Sequence, residues 1–505
     1  MIDRSGFTPF DIVREIWTHL ELPPAALSSL SLPGDGAQVS GQMRPVVPSS
    51  FKIGHLAQST IALSALSAAL AHSVRSPSPK PIPRTTVPLR HAVLEFHCER
   101  IYTLAGRPPP ETWGPIGGLH PTADGHVRIH DNFPHHRRGA LALLGLPETC
   151  TDRRAVSTAT RAWDSVELET AALERGLAVY ALRSPAQWDA LPQAIAVSDF
   201  PIRIRRLEAR GPASSSPPRP APRCANPRRC LDGVRVLELS RVIAAPVAGK
   251  TLAAHGADVL WVTSPRLPDL PALDREFARG KRSVRLDLDR PADKARLLAL
   301  ARDADVVVQG YRPGSLAARG LGASDLAAEN PGVVVANLSA FGPGGPWAGR
   351  RGFDSLVQTC GGANVAEAGR FGAGAAARAF PCQALDHGAG FLLAAGVCAA
   401  LVLRERDRGA GRGVAAYVVD ASLAGVLKYL RSLGQFEGRS GFEGLDFGGV
   451  GGLSLEEVRG YFETRPTAFG EMRFLRHSAC VEGFETGWDR MPSPLGSDEA
   501  VWAGL

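Results

Sequence analysis

From residue 234 to residue 433 short β-rich runs alternate with helical stretches. Segment 234–239 (VRVLEL) reads as a strand. Pro246, suited to a first turn, then opens a helical stretch that stops at Gly256. Further strands are expected at 257–263 (ADVLWVT), 283–288 (SVRLDL), 305–309 and 333–338, with a helix at 292–304. A helix at 388–406, a strand at 414–420 and a helix at 421–433 complete the series. Strands separated by helices, several of them almost wholly apolar, require a parallel sheet covered on both faces. The expected fold class is therefore α/β, with a parallel sheet as its large domain.

The rest of the 505 residues divides around one linker. Segment 206–230 holds RGPASSSPPRPAPRCANPRRC, which has almost no large apolar residue and reads as an extended connector. Before it, 107–205 reads as a small α+β domain: a Gly/Pro-rich loop, a strand (HVRIHDNF), a helix (HHRRGALALLGL) and a longer helix over 159–175. Segment 53–75 (IGHLAQSTIALSALSAALAHSVR) echoes 385–406 (LDHGAGFLLAAGVCAALVLRER), and each continues into a turn, a short strand and a helix. The echo reads either as a degenerate repeat or as chance likeness of two Ala/Leu-rich helices. The expected units are a helical extension (1–50), a partial repeat of the large domain (51–106), the small domain (107–205), the linker (206–230), the large domain (231–435) and a return segment (436–505).

Composition narrows the function. The chain is 44% hydrophobic and 21% charged, which excludes wholesale disorder. Its net charge is +7, and no dense basic run carries interleaved aromatics, so no nucleic-acid partner is expected. Eight cysteines without a CxxC pair read as reduced thiols, and MIDRSGFTPFDIVREIW shows no signal-peptide pattern. These features lead to the expectation of a cytoplasmic protein. The apolar run 388–403 is shorter than the roughly 18–20 residues of a bilayer span and reads as a buried helix, with no membrane partner. No GxGxxG follows the first strand, and GxxxxGK[ST], HExxH and GxSxG are absent. His126, His130, His135 and His136 lack a carboxylate or Cys at a familiar metal spacing and read as surface and packing residues, so no metal is expected. Asp386 stands just before the helix expected at 388, where its anion would be stabilised. On spacing alone it is a helix cap or a functional carboxylate beside a Gly/Ala-rich stretch, 360–374.

Six segments in order resemble the class III CoA-transferase family: LDGVRVLELSRVIAAP, LAAHGADVLWV, FARGKRSVRLDL, ADVVVQGYRPGSLAARGLG, NPGVVVANLSAFGPGGPWAGRRGFDSLVQTCGG and QALDHGAGFLLAAGVCAAL. The family includes formyl-CoA transferase, carnitine CoA-transferase and alpha-methylacyl-CoA racemase. The resemblance implies a Rossmann-like parallel-sheet large domain that binds CoA, and an acyl-CoA:carboxylate CoA-transferase with coenzyme A as substrate and no metal. It implies Asp386 as covalent nucleophile. Arg241, Arg279, Lys281, Arg282, Tyr311, Arg312 and Arg319 are the implied CoA-binding residues. The segment WGPIGGLHPTAD resembles the family's glycine loop, which points to Gly117 and Gly118 as a substrate loop. Family members are interlocked dimers; here a shortened first copy precedes the large domain, which implies a monomer with pseudo-dimeric halves or a homodimer.

The departures matter too. The first copy has Gly54 or His55 where the aspartate would fall. Thr263-Ser264-Pro265 replaces a Glu-x-Pro, Ile243 replaces the glutamine of formyl-CoA transferase, and Phe353 replaces a racemase histidine. The alternatives are an acyl-CoA racemase or isomerase of the same superfamily, or a CoA-binding protein without turnover.

Overall fold

The computed structural model describes residues 1–34, 45–76, 80–207, 226–444 and 458–503. Seven strands form the main sheet: β1 Ile202–Leu207, β2 Arg235–Leu239, β3 Asp258–Thr263, β4 Lys281–Arg285, β5 Val306–Gln309, β6 Val334–Ser339 and β7 Ala416–Ser422. Their spatial order is β4-β3-β2-β5-β6-β7-β1. Six are mutually parallel, and β1 runs antiparallel to β7 at the edge. The α/β expectation holds, with strand ends shifted by a few residues. Side chains alternate between two cores: Val236 and Val259 face one, Leu237 and Leu260 the other. The order runs outward from β2 to β4 on one side and from β5 to β7 on the other. The chain therefore reverses between β2 and β5, and a crevice opens at their carboxyl ends.

Helix Ala384–Gly409 spans the first core and packs against helices Ile53–Arg75 and Ala244–Ala254. A Cβ on Gly390 would collide with the Ala244 carbonyl and Val247, so the last contact requires glycine there. Helices Ile53–Arg75 and Ala384–Gly409 are both long and apolar enough to cross a membrane, and their apolar stretches lie wholly inside the fold. The second exceeds the 16-residue run expected from sequence because its ends recruit polar residues. The first is followed by the two-residue strand Thr85–Thr86 and helix Leu89–Glu95, in the order the echo anticipates.

The small domain is a three-stranded antiparallel sheet (Gly118–Pro121, His126–Ile129, Val179–Ala181) under helices Pro134–Leu143, Arg153–Thr160 and Ser165–Glu174, with its own core. The single helix expected over 159–175 is two. The Asp124 carboxylate accepts from the Ser165 backbone N–H and hydroxyl, and starts a new helix there. Strand β1, placed by sequence largely in the small domain, instead extends the large sheet. Most of the expected linker, 208–225, lies outside the described residues. At its end Arg228 pairs with Glu485 at 2.6 Å and Arg229 with Asp489 at 2.7 Å.

Candidate active site

A cavity of about 480 Å³ occupies the crevice between β2 and β5. Its wall includes Arg241, Val242 and Ile243 after β2, Tyr311 and Arg312 after β5, and Asp386. Val242 holds φ +74°, a left-handed conformation that a β-branched residue rarely adopts. Such strain costs on the order of 1–3 kcal/mol and persists where the surroundings impose it, commonly at functional sites.

Asp386 lies in the first turn of helix Ala384–Gly409, not before a helix that begins at 388. The earlier start comes from outside the helix. Asp354, buried on helix Asp354–Cys360, accepts the N–H groups of Leu385 at 2.8 Å and Asp386 at 2.9 Å with one oxygen. Gln358 donates to its other oxygen. Asp354 therefore takes the capping role that spacing offered to Asp386. The Asp386 carboxyl receives no hydrogen bond from the described residues and faces the cavity. Burial, then the charges of Asp354 and Glu99, push its pKa well above the ordinary value. Burial also raises Asp354, to about 6, against the hydrogen bonds that favour its anion. Two carboxyl groups this close shed protons in steps, and the better-bonded Asp354 ionises first.

The pair makes stability pH-dependent. Both folded pKa values lie above the unfolded ones. The aspartates are protonated in both states at low pH and cost nothing there. As pH rises the unfolded chain ionises first, so folded stability falls up to the folded pKa values. Asp386→Asn removes one of these groups. Its melting temperature should gain on wild type between pH 4.5 and pH 7.5; an unchanged difference would refute the raised pKa.

The structure separates the expected CoA-binding residues. Arg241, Tyr311, Arg312 and Arg319 line the cavity. Arg279, Lys281 and Arg282 do not. Arg279 is fully buried, bonds Glu276 and the Leu475 carbonyl, and lies over Trp488. The Lys281 ammonium is buried 2.8 Å from Glu238. Arg282 pairs with Asp258 at 2.9 Å. Internal carboxylates already hold all three, so these residues are corrected to structural ones. Gly117 and Gly118 are not among the cavity-lining residues. A Cβ on Gly117 would collide with the Asp131 carboxylate, which accepts the N–H groups of Gly114 and Ile116 and folds the loop.

Two cavity residues and one buried behind the cavity were missed or misread. Asp354 is in the quoted GFDSL segment, but the tertiary hydrogen bonds that define its work leave no local pattern. Arg351, in the same segment, lines the cavity. His136, read as a packing residue, is buried on the first turn of helix Pro134–Leu143 and faces the cavity with His135 and Phe133. The signal was the run NFPHHR, where Pro134 marks a helix start shortly after the strand His126–Ile129. Beside the site, Cys98, Glu99 and His387 bring three ligand atoms within 4.8 Å of one another. His387 bonds Glu99 at 3.0 Å, and the Lys250 ammonium stands 3.3 Å from the Cys98 sulfur, already supplying a positive charge.

Residues 231–440 match the family model for CoA-transferase family III. A probable fatty acyl-CoA transferase of Mycobacterium tuberculosis is 37% identical over 196 residues, covering 36% of this chain and 49% of that protein. An acyl-CoA transferase of Gibberella moniliformis is 32% identical over 269 residues, covering 50% and 46%. The formyl-CoA:oxalate CoA-transferase of Rhodopseudomonas palustris is 34% identical over 207 residues, covering 39% and 48%. The chain thus spans about half the length of these curated relatives. A crystal structure of the M. tuberculosis protein aligns with a TM-score of 0.34 at 36% identity, covering 42% of this chain and 57% of that one.

Proposed function

We propose that the chain transfers CoA from an acyl-CoA to a carboxylic acid, with Asp386 as the covalent nucleophile. The observation that carries this reading is the Asp386 carboxyl itself: desolvated, without a hydrogen-bond donor among the described residues, and facing a cavity at the strand-reversal point of a family III segment. An ionised Asp386 oxygen adds to the thioester carbonyl, the C–S bond breaks, and CoA thiolate leaves an aspartyl anhydride. The thiolate then attacks the aspartyl carbonyl and expels the first acid as its carboxylate. The acceptor carboxylate attacks the resulting aspartyl-CoA thioester and expels CoA thiolate, which leaves a second aspartyl anhydride; the thiolate then attacks the acyl carbonyl of that anhydride and releases the Asp386 carboxylate and the new acyl-CoA. Each bond broken is matched by one formed. Loss of solvent makes the carboxylate a better nucleophile once ionised, and Asp354 keeps the helix end fixed meanwhile. Arg241, Tyr311, Arg312 and Arg319 are the candidates for the phosphate-bearing part of CoA. One site per chain, covered by residues of the N-terminal portion, is part of the same proposal.

Mass spectrometry tests it. After incubation with acyl-CoA, a peptide containing Asp386 should carry CoA in thioester linkage, reducible by borohydride. Absence of an adduct under turnover would remove the covalent route.

Racemisation is disfavoured by the same geometry. Phe353 carries no proton, and burial, then neighbouring positive charge, pushes His136 down to about 3. A base that weak does not take an α-proton from a thioester at neutral pH. 2-Methylacyl-CoA incubated in D₂O should therefore show no Asp386-dependent exchange at the α-carbon. Exchange at a catalytic rate would replace the transferase reading with an isomerase.

A further inference from the structure

Six arginines line the cavity, and three are already held by carboxylates. Arg266 pairs with Asp287 at 2.8 Å, Arg319 with Asp289 at 3.2 Å and Arg350 with Glu169 at 3.3 Å. Arg351 is different. It is half-buried, donates to the Gly176 carbonyl, and has no carboxylate within ion-pair distance among the described residues. Burial, then the like charge of Arg312, disfavours its charge. A guanidinium left in this state is short of an anion.

His136 faces the same space from the N-terminal portion. It is 4% exposed, and its Nδ1 is buried without a hydrogen-bond partner. Its ring meets the Phe353 ring at 6.3 Å and the His135 ring at 4.1 Å. With its pKa near 3 the imidazole is neutral at working pH and keeps one N–H to give. A buried polar nitrogen with no partner is costly, and His136 as a residue lines the cavity.

We propose that Arg351 and His136 form a subsite for a free carboxylate of the acid substrate, the one remote from the reacting carbonyl, and so select dicarboxylic acyl groups. This rests on the transferase reading above. The guanidinium presents a planar fork to a carboxylate, and the imidazole N–H supplies a further donor. Phe353, which meets His136, is followed in the chain by Asp354, whose carboxylate accepts the Asp386 N–H at 2.9 Å. His136, Arg351 and Asp386 line the same cavity, so one acyl chain seated there has the nucleophile and the proposed subsite within a single space. In a ping-pong exchange donor and acceptor acids occupy the same place in turn, so the preference applies to both.

Glutaryl-CoA and valeryl-CoA have the same chain length and differ in the terminal carboxylate. Wild type should favour glutaryl-CoA by at least about tenfold in kcat/KM. Arg351→Met should bring the ratio near one, and Arg351→Lys, which keeps the charge without the fork, should fall between. His136→Gln should lower the ratio in part. In the absence of turnover, glutarate but not valerate should raise the melting temperature of the full-length protein, and Arg351→Met or Arg351→Lys should reduce that rise. Two results would overturn the subsite: a wild-type ratio near one, or an Arg351 variant that weakens CoA alone and both esters equally, which makes Arg351 a phosphate contact. Should the Met variant not fold, the Lys and Gln variants decide. Absence of the aspartyl adduct sinks the transferase reading separately, and the glutarate measurement still judges the subsite.

Discussion

Asp386→Ala is expected to lower CoA transfer by roughly 10³-fold or more while the protein folds and binds CoA much as wild type does. The two halves of this expectation come from one arrangement. In the proposed reaction Asp386 supplies the attacking oxygen, and no neighbouring group substitutes for it: Asp354 is turned to the helix end, where it accepts from Leu385, Asp386 and Gln358. Yet the Asp386 carboxyl accepts no hydrogen bond from the described residues, and its raised pKa marks it as a burden on the fold. Its removal leaves the helix start intact. Asp354→Ala should behave differently, because it strips two backbone N–H groups and one amide of their acceptor. It should lose activity and melting temperature together. Steady-state transfer, CoA titration and thermal melts on the two variants separate the roles. Retention of more than about a tenth of wild-type turnover by Asp386→Ala would rule out the covalent mechanism.

The sheet was legible because its signal is local. Apolar runs such as 257–263 and 305–309 between helical stretches need no knowledge of their neighbours, and the strands Asp258–Thr263 and Val306–Gln309 fall within them. Arg241, Tyr311 and Arg312 follow strand ends, Arg319 lies on the loop that continues from β5, and strand ends at the reversal point are where a cavity forms. What was not legible depends on partners distant in sequence. ARGKR looks like an anion-binding cluster, but Lys281 on β4 meets Glu238 on β2 across the intervening β3, and Arg279 bonds Glu276 under Trp488. Charge in a motif does not reveal whether the fold has already neutralised it. The helix start at Ala384 depends on Asp354, more than twenty residues upstream. His136 was read as bland because histidine spacing speaks to metals, whereas its position depends on how the small domain docks against Phe353.

That docking leads to the second large effect. A fragment starting at Cys230 should be insoluble or inactive, and residues 1–209 supplied by co-expression should recover part of the soluble, active protein. Helix Ile53–Arg75 is buried over almost its whole length against helix Ala384–Gly409, and Gly388 lies in close contact with Leu56. Ile53, Leu56, Ile61, Leu63, Leu66 and Leu70 are all 3% exposed or less. At roughly 1.5–3 kcal/mol for each fully buried side chain of this kind, their loss alone rivals the 5–15 kcal/mol that stabilises a typical domain. Removal of the first portion also strips β1 from β7 and leaves a hydrogen-bonding edge open, a template for aggregation. His136 would go with it, and the cavity would lose a wall. The proposed arrangement makes the N-terminal portion a built-in cover for the site of the C-terminal portion, and joining them in one chain raises the effective concentration of that cover. Sedimentation, thermal melts and CoA-adduct formation on the fragment, alone and with residues 1–209, test this directly. A 230–505 fragment that is soluble, monomeric and fully active would show that the first portion does not cover the site.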